Sequence, residues 1–233
     1  AVKEAIQSGK VGREEIDRRD GGGHGLTGFL LACACGNEEM ARLLLAYGAD
    51  PAASDGRGMN AYHFLVFPRI QGLEMDSSCL EHSAGQRRDI ARLLTCDVNQ
   101  KDQEGMTPLV RMLSREYCSN YTWPLAEVFL DKGAATDYVD EEGNTLLMMA
   151  LKHRHRTAAL LLMERCPEMM DIADGQGRQP IWRAAYFRDM AMYIALKEHG
   201  AVPGEGDGLE LFPLSQVASN AFAEVHEDNR DGM

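Results

Sequence analysis

The chain has 233 residues, with 36 Asp and Glu against 24 Lys and Arg, and therefore a formal net charge of −12. This negative charge repels phosphate backbones and anionic lipid surfaces at long range, which argues against a general nucleic-acid-binding or membrane-surface protein. No uninterrupted apolar segment approaches the length of a membrane span. The six cysteines are too sparse for a disulfide framework and lack zinc-site spacing, so we expect reduced thiols and a cytoplasmic protein.

One short pattern recurs along the chain: an aspartate, a glycine three residues later, and an anchor residue two further on. Aspartate can accept hydrogen bonds from the backbone that follows it in a tight turn, and glycine supplies a positive φ there. A threonine at the anchor position predicts a helix N-cap, and Pro108 suits the first helical position after its cap. The anchors, separated by 33, 47, 38, 34 and 33 residues, are Thr27, Asn60, Thr107, Thr145, Gln179 and Phe212.

The repeated units resemble ankyrin repeats, whose pattern is roughly D-x-x-G-x-T-P-L-H-x-A, then G-H/N, an apolar helix and G-A-D-x-N. The resemblance is clearest in "GNEEMARLLLAYGADP" (36–51), "DVNQKDQEG" (97–105) and "TPL" (107–109). It implies an all-α solenoid of helix-turn-helix pairs with short β-turn fingers, about five full repeats plus partial caps. Each helix pair exposes apolar faces that it cannot bury alone, so stacking of neighbouring pairs supplies the core.

The resemblance also predicts the domain organisation. We expect a degenerate N-terminal capping repeat at 1–19, ankyrin repeats over 20–204, a partial C-terminal capping repeat at 205–222, and a polar acidic tail at 223–233. The 47-residue gap indicates a polar inserted loop at about 68–85. Long loops in compact folds are functional or disordered, so both a tolerated insertion and a partner contact stay open for this loop.

Ankyrin resemblance implies that a partner binds on the concave side, at the turn tips and at the exposed end of each first helix. Large apolar and cationic residues occupy these places, where a purely solvated face would be polar. We therefore expect non-catalytic protein–protein recognition by a monomer. The predicted partner-binding residues are Met59, Phe67, Met106, Arg115, Lys152, His153, Arg178, Tyr186, Phe187 and Arg188.

The segment "KHRHR" at 152–156 is unusually basic for this acidic chain. Its first two residues fall in the exposed slots of their unit, and Arg154 takes a position where glycine is usual. Arg115 and Arg188 stand at or next to equivalent positions in neighbouring units, which predicts a basic ridge aimed at an acidic segment of a protein partner. The two histidines would strengthen that contact below about pH 6.5. A solvated basic loop is the alternative, and we expect no metal site here.

No nucleophile with its base, no pair of carboxylates and no ligand cluster occurs at a specific spacing, so we predict no catalytic residue and no cofactor. Two other functions stay open. The first is a regulatory or targeting region of a larger protein, or a secreted effector, because the sequence begins at Ala1 without Met. The second is an enzyme with an atypical site in the inserted loop.

Overall fold

A computed structural model of the chain describes residues 13–21, 23–66, 84–114 and 123–202. The predicted C-terminal capping repeat and acidic tail lie outside these residues, as do most of the predicted N-terminal cap and of the inserted loop. The domain boundaries therefore stay predictions.

The described residues form short helices joined by tight turns, which confirms the predicted all-α class. Within them, extended backbone pairs only at isolated bridges, Ser54 with Asn60 and Val139 with Thr145, and no sheet is formed. The helices are α1 (Arg13–Ile16), α2 (Gly28–Cys35), α3 (Glu38–Ala46), α4 (Ala61–Val66), α5 (Ala84–Leu93), α6 (Pro108–Leu113), α7 (Trp123–Asp131), α8 (Leu146–Lys152), α9 (Arg156–Arg165), α10 (Pro180–Tyr186) and α11 (Met190–Glu198).

The helices are grouped in two units, Ala1–Ala135 and Thr136–Met233. In the first unit the first helices of the repeats stack as α2, α4 and α6, and the second helices stack as α3, α5 and α7. In the second unit α8 packs on α10 and α9 on α11, while a 3-10 turn at Pro167–Met170 follows α9. The core of each unit is apolar side chains buried by this stacking, which is the arrangement predicted for a repeat array.

A hairpin built on aspartate precedes each of four first helices. The Oδ1 atom of the aspartate accepts hydrogen bonds from the amides two and four residues later, at 2.7 to 3.1 Å. The threonine anchors then cap their helices, since each hydroxyl accepts from the amide three residues later at 3.3 to 3.4 Å. Both predictions are confirmed. The aspartates are Asp55, Asp102, Asp140 and Asp174, and the threonines are Thr27, Thr107 and Thr145.

A buried arginine marks the repeat that carries the insertion. Arg87 is in register with Asn37, the side chain that caps α3, but α5 begins three residues before Arg87. Arg87 therefore lies inside its helix and cannot cap it. Arg87 is only 3% exposed, and its guanidinium instead donates to the carbonyl of Ala34 at 2.8 Å and to that of Leu65 at 3.0 Å. These are last-turn carbonyls of α2 and α4, which lack partners within their own helices.

Candidate protein-binding site

Helix α10 presents the most exposed aromatic side chain among the described residues. The helix starts at Pro180, whose fixed φ suits the first helical position, and ends at its C-cap Phe187 because Arg188 adopts a φ of 55°. Tyr186 in its last turn is 55% exposed. A large aromatic side chain is normally buried, so this exposure singles out the C-terminal end of α10.

Four side chains form a continuous column along this helix. The guanidinium carbon of Arg178 lies 4.5 Å from the centroid of the Trp182 ring. The Trp182 and Tyr186 rings stack with centroids 4.8 Å apart and an angle of 14°, since residues four apart share one helix face. Phe187 meets Tyr186 edge to face, with centroids 5.2 Å apart. We call these four residues the aromatic column.

Asp174 holds the arginine end of the aromatic column. Its Oδ2 accepts hydrogen bonds from Arg178 at 2.8 and 2.9 Å and from the buried Arg183 at 3.0 Å. Its Oδ1 accepts hydrogen bonds from the hairpin amides. Burial raises the pKa of Asp174, but the hydrogen bonds from the Arg178 side chain and from the hairpin amides outweigh it and lower the pKa to about 2. Arg183 also donates to the side chain of Asn144 in the preceding hairpin. The carboxylate is therefore ionised at neutral pH and fixes Arg178 over the indole.

The contacts inside the aromatic column keep its rings in place without a partner. An aromatic pair contributes about 0.5–1.5 kcal/mol beyond its buried area, and an exposed cation–π pair about 0.5–1 kcal/mol. Side chains already fixed in this way lose little conformational freedom when another surface covers them. The column is thus a partly exposed aromatic surface whose side chains support one another, with a cation at one end.

Residues of the preceding repeat adjoin the column, and Arg154 among them contacts its Phe187 end. Lys152 is exposed, with its ammonium 3.8 Å from the carboxylate of Glu142, and His153 is half-buried at the end of α8. Arg154 is exposed, and its guanidinium donates to the carbonyl oxygen of Phe187 at 3.4 Å. In the second unit, therefore, the predicted residues of α8 and α10 lie on adjacent repeats.

The "KHRHR" segment differs from its prediction in one respect. His155 is 3% exposed, because its residue occupies the N-cap position of α9 and its side chain is turned into the protein. The imidazoles of His153 and His155 are 5.8 Å apart, but only His153 reaches the surface. A direct partner contact through His155 is therefore not available, and the predicted pH dependence stays a prediction for His153 alone.

The structure describes two of the predicted contact residues of the first unit, and one of them is buried. Met59 is 3% exposed, since its amide and carbonyl both bond Asp55 and close the hairpin with the side chain inward. The prediction that Met59 is exposed is wrong, although Met106 at the equivalent position is half-buried. Phe67 and Arg115 lie outside the described residues.

Trp182 was missed by sequence reasoning, although it is the centre of the aromatic column. The signal was present: Trp182 is four residues after Arg178 and four before Tyr186, and residues four apart on a helix are neighbours. The predicted contact positions were the residue before each anchor and those seven to nine after it, whereas Trp182 is three after its anchor, Gln179.

In the part of the chain that the structure describes, no group of three or more His, Cys, Asp or Glu side chains is placed to hold a metal ion. No described helix combines the length and apolarity needed to cross a membrane.

The stacked helix pairs and aspartate hairpins define a helical repeat array. A family model described as "Ankyrin repeats (3 copies)" matches residues 78–171, and one described as "Ankyrin repeat" matches residues 24–56. The chain belongs to the ankyrin-repeat family, whose members are generally protein–protein interaction modules and usually non-catalytic. A search of curated proteins found no match.

Proposed function

We propose that this chain is a non-catalytic recognition module that binds a protein partner through the aromatic column and the cationic residues beside it. The observation that carries the proposal is the exposure of Tyr186, 55%, within a column of stacked rings. Tyr, Trp and Arg are the residues that most often dominate binding energy at protein interfaces. Family membership supports a protein as the partner.

The composition of the face supports the same function. An apolar centre next to positive charge combines a desolvated contact with electrostatic selection of the partner. The described repeats of the second unit are nearly balanced in charge, with eight Lys and Arg against ten Asp and Glu in residues 136–202. Most of the chain's negative charge therefore lies elsewhere, and an acidic segment can approach this face.

Replacement of the two terminal rings tests the proposal. The wild-type chain and a Tyr186→Ala/Phe187→Ala variant are used to capture partners, and the affinity of a purified partner is then measured by isothermal titration calorimetry. We expect the double variant to bind more than about 2 kcal/mol more weakly, or roughly 30-fold, because two interface anchors are removed. Thermal unfolding of the free variant shows whether the fold is kept, and Tyr186→Ala alone serves if Phe187→Ala destabilises it.

A matched control removes apolar area elsewhere in the same unit. Leu160 and Ile194 are 41% and 42% exposed and occupy equivalent positions on the second helices α9 and α11. Leu160→Ala/Ile194→Ala should leave the partner's affinity within about twofold of the wild type. Unchanged affinity in a folded Tyr186→Ala/Phe187→Ala variant would refute the aromatic column as the contact, and a loss confined to the control would move the contact to the second helices.

Two alternatives follow from the sequence. The same recognition face is compatible with a regulatory or targeting region of a larger protein or a secreted effector, which the native reading frame would decide. An enzyme with its site in the inserted loop would require an activity that disappears when residues 68–83 are replaced by a short Gly/Ser linker.

A further inference from the structure

The turn between the two helices of a repeat has the same backbone in the three repeats where it is described. The residue nine after the anchor donates its amide to the carbonyl three residues earlier, at 3.0 to 3.1 Å. The next residue donates to the carbonyl five residues earlier, at 2.7 to 2.9 Å. The residues nine after the anchor are Gly36, Arg154 and Arg188, and each adopts a positive φ, of 71°, 58° and 55° respectively.

The residue type at this position is unexpected in the second unit. A left-handed backbone brings the β-carbon of an L residue close to its own carbonyl, so glycine and, less often, asparagine occupy such positions. Arg154 and Arg188 are the two non-glycine residues with positive φ among those the structure describes. Both repeats of the second unit therefore keep an arginine where the backbone favours glycine.

The interior of the protein does not explain these two arginines. Both are exposed, and in the described residues neither guanidinium has a carboxylate within 4.0 Å. Arg154 makes a long hydrogen bond of 3.4 Å to the Phe187 carbonyl. By contrast, Arg178 and Arg183 of the same unit each pair with Asp174. The charge of Arg154 and Arg188 is therefore directed to solvent.

We propose that Arg154 and Arg188 form a paired binding site for the carboxylates of an acidic protein segment, beside the aromatic column. The inference rests on the proposed function and adds the chemistry of the partner and the two residues that select it. Each arginine presents a planar fork of N–H donors that matches a carboxylate. They occupy equivalent positions on adjacent repeats, so an extended acidic segment that crosses both repeats can meet both arginines. A short acidic segment fits this chain better than a nucleic acid, because the net charge of −12 repels a phosphate backbone along its whole length.

The positive φ of Arg188 allows an experiment that distinguishes a binding role of this residue from a purely structural one. Replacement of Arg188 by glycine removes the charge and also relieves the left-handed conformation. We expect Arg188→Gly to raise the Tm by about 2 °C while it weakens binding. A residue kept for the stability of the turn would show the opposite change in Tm.

The binding probe is a fluorescein-labelled peptide of alternating Glu and Pro residues, and its control is the same peptide with Gln in place of Glu. Fluorescence anisotropy at low ionic strength gives the affinity of each. We expect Arg154→Gly/Arg188→Gly to bind the Glu-Pro peptide at least tenfold more weakly than the wild type, and Arg154→Lys/Arg188→Lys to give an intermediate affinity, because lysine keeps the charge but not the planar fork. Arg165→Gln/Lys197→Gln removes the same charge from exposed positions on α9 and α11, and should change the affinity less than twofold.

Four results would overturn the proposal: equal wild-type affinity for the Glu-Pro and Gln-Pro peptides, equal losses in the arginine and control variants, no loss in the arginine variant, or equally effective competition by duplex DNA. The outcome is separable from that of the proposed function. If only Arg154→Gly/Arg188→Gly loses binding, the result supports the carboxylate site and contradicts the proposed contact through the aromatic column. Loss with Tyr186→Ala/Phe187→Ala alone does the reverse.

Discussion

Arg87 allows the strongest prediction about stability. It stands where another repeat has a helix-capping side chain, and its buried charge instead bonds the C-terminal ends of two first helices. Its guanidinium bonds the Ala34 carbonyl at 2.8 Å and the Leu65 carbonyl at 3.0 Å, and its side chain is 3% exposed. Arg87→Met keeps much of the side-chain volume but leaves both helix-end carbonyls without this donor. The variant thus isolates the hydrogen bonds from the packing.

The magnitude follows from the two short bonds. A hydrogen bond with a charged donor contributes about 1.5–3 kcal/mol to the free energy of unfolding. Most of this contribution is lost when the buried carbonyl is left without a donor. Two such bonds predict that Arg87→Met lowers the free energy of unfolding by about 3 kcal/mol, after the gain from burying an apolar group. Arg87→Lys, which keeps the charge but cannot bond both carbonyls in the same geometry, should lose about half as much.

Urea unfolding followed by far-ultraviolet circular dichroism measures this loss from the midpoint and slope of the transition. Arg92→Met is the matched control, because Arg92 is on the same helix with 56% of its side chain exposed and only a 3.7 Å ion pair to Asp89. The control should change the free energy of unfolding by less than about 0.5 kcal/mol. If Arg87→Met also stays within about 1 kcal/mol of the wild type, the two helix ends do not depend on the guanidinium and the reasoning fails.

Two further predictions concern a buried histidine and a hairpin glycine. Burial lowers the pKa of His63, which pairs with the Met106 carbonyl at 3.1 Å, so the unfolded chain binds the proton more tightly than the folded one. Stability should therefore fall as the pH drops below about 6.5, and thermal melts of His63→Gln against pH should show a flatter profile. Gly143 and Gly177 both have positive φ, 82° and 79°, but a β-carbon on Gly143 would overlap the backbone nitrogen of Gly175, whereas one on Gly177 would meet no atom within 4 Å. Urea titration should find Gly177→Ala destabilised by about 1 kcal/mol and Gly143→Ala by at least about 2 kcal/mol more, and equal losses would contradict the close approach.

Sequence reasoning predicted the repeated elements because they depend on short-range chemistry. The hairpin of Asp174 and the cap formed by Thr145 each need only the residue type and its distance along the chain, and both have the predicted hydrogen bonds. The family resemblance added the stacking of these units. The exposed positions of Lys152 and Tyr186 followed from the same register.

The rest depended on the directions of side chains, which register alone does not give. Met59 precedes its anchor as Arg178 does, yet one is buried and the other half-exposed beside an indole. The second oxygen of Asp174 binds two arginines only because the rotamers of Arg178 and Arg183 converge on it. Arg87 aligns with a capping residue, but α5 starts three residues earlier. Its side chain therefore bonds the ends of two other helices and caps none.

The helix-to-helix turn gives the two repeats of the second unit a place where the surface can change without a change in the fold. Its hydrogen bonds all join main-chain atoms, so the residue nine after the anchor contributes almost nothing that a different side chain would remove. Arg154 and Arg188 show that this position accepts a long cationic side chain in both repeats of the second unit, at the cost of a left-handed backbone. The first repeat lacks this freedom, because a β-carbon on Gly36 would come within 3.0 Å of the Arg87 side chain. An arginine of the next repeat thus leaves room only for glycine at this turn of the first repeat.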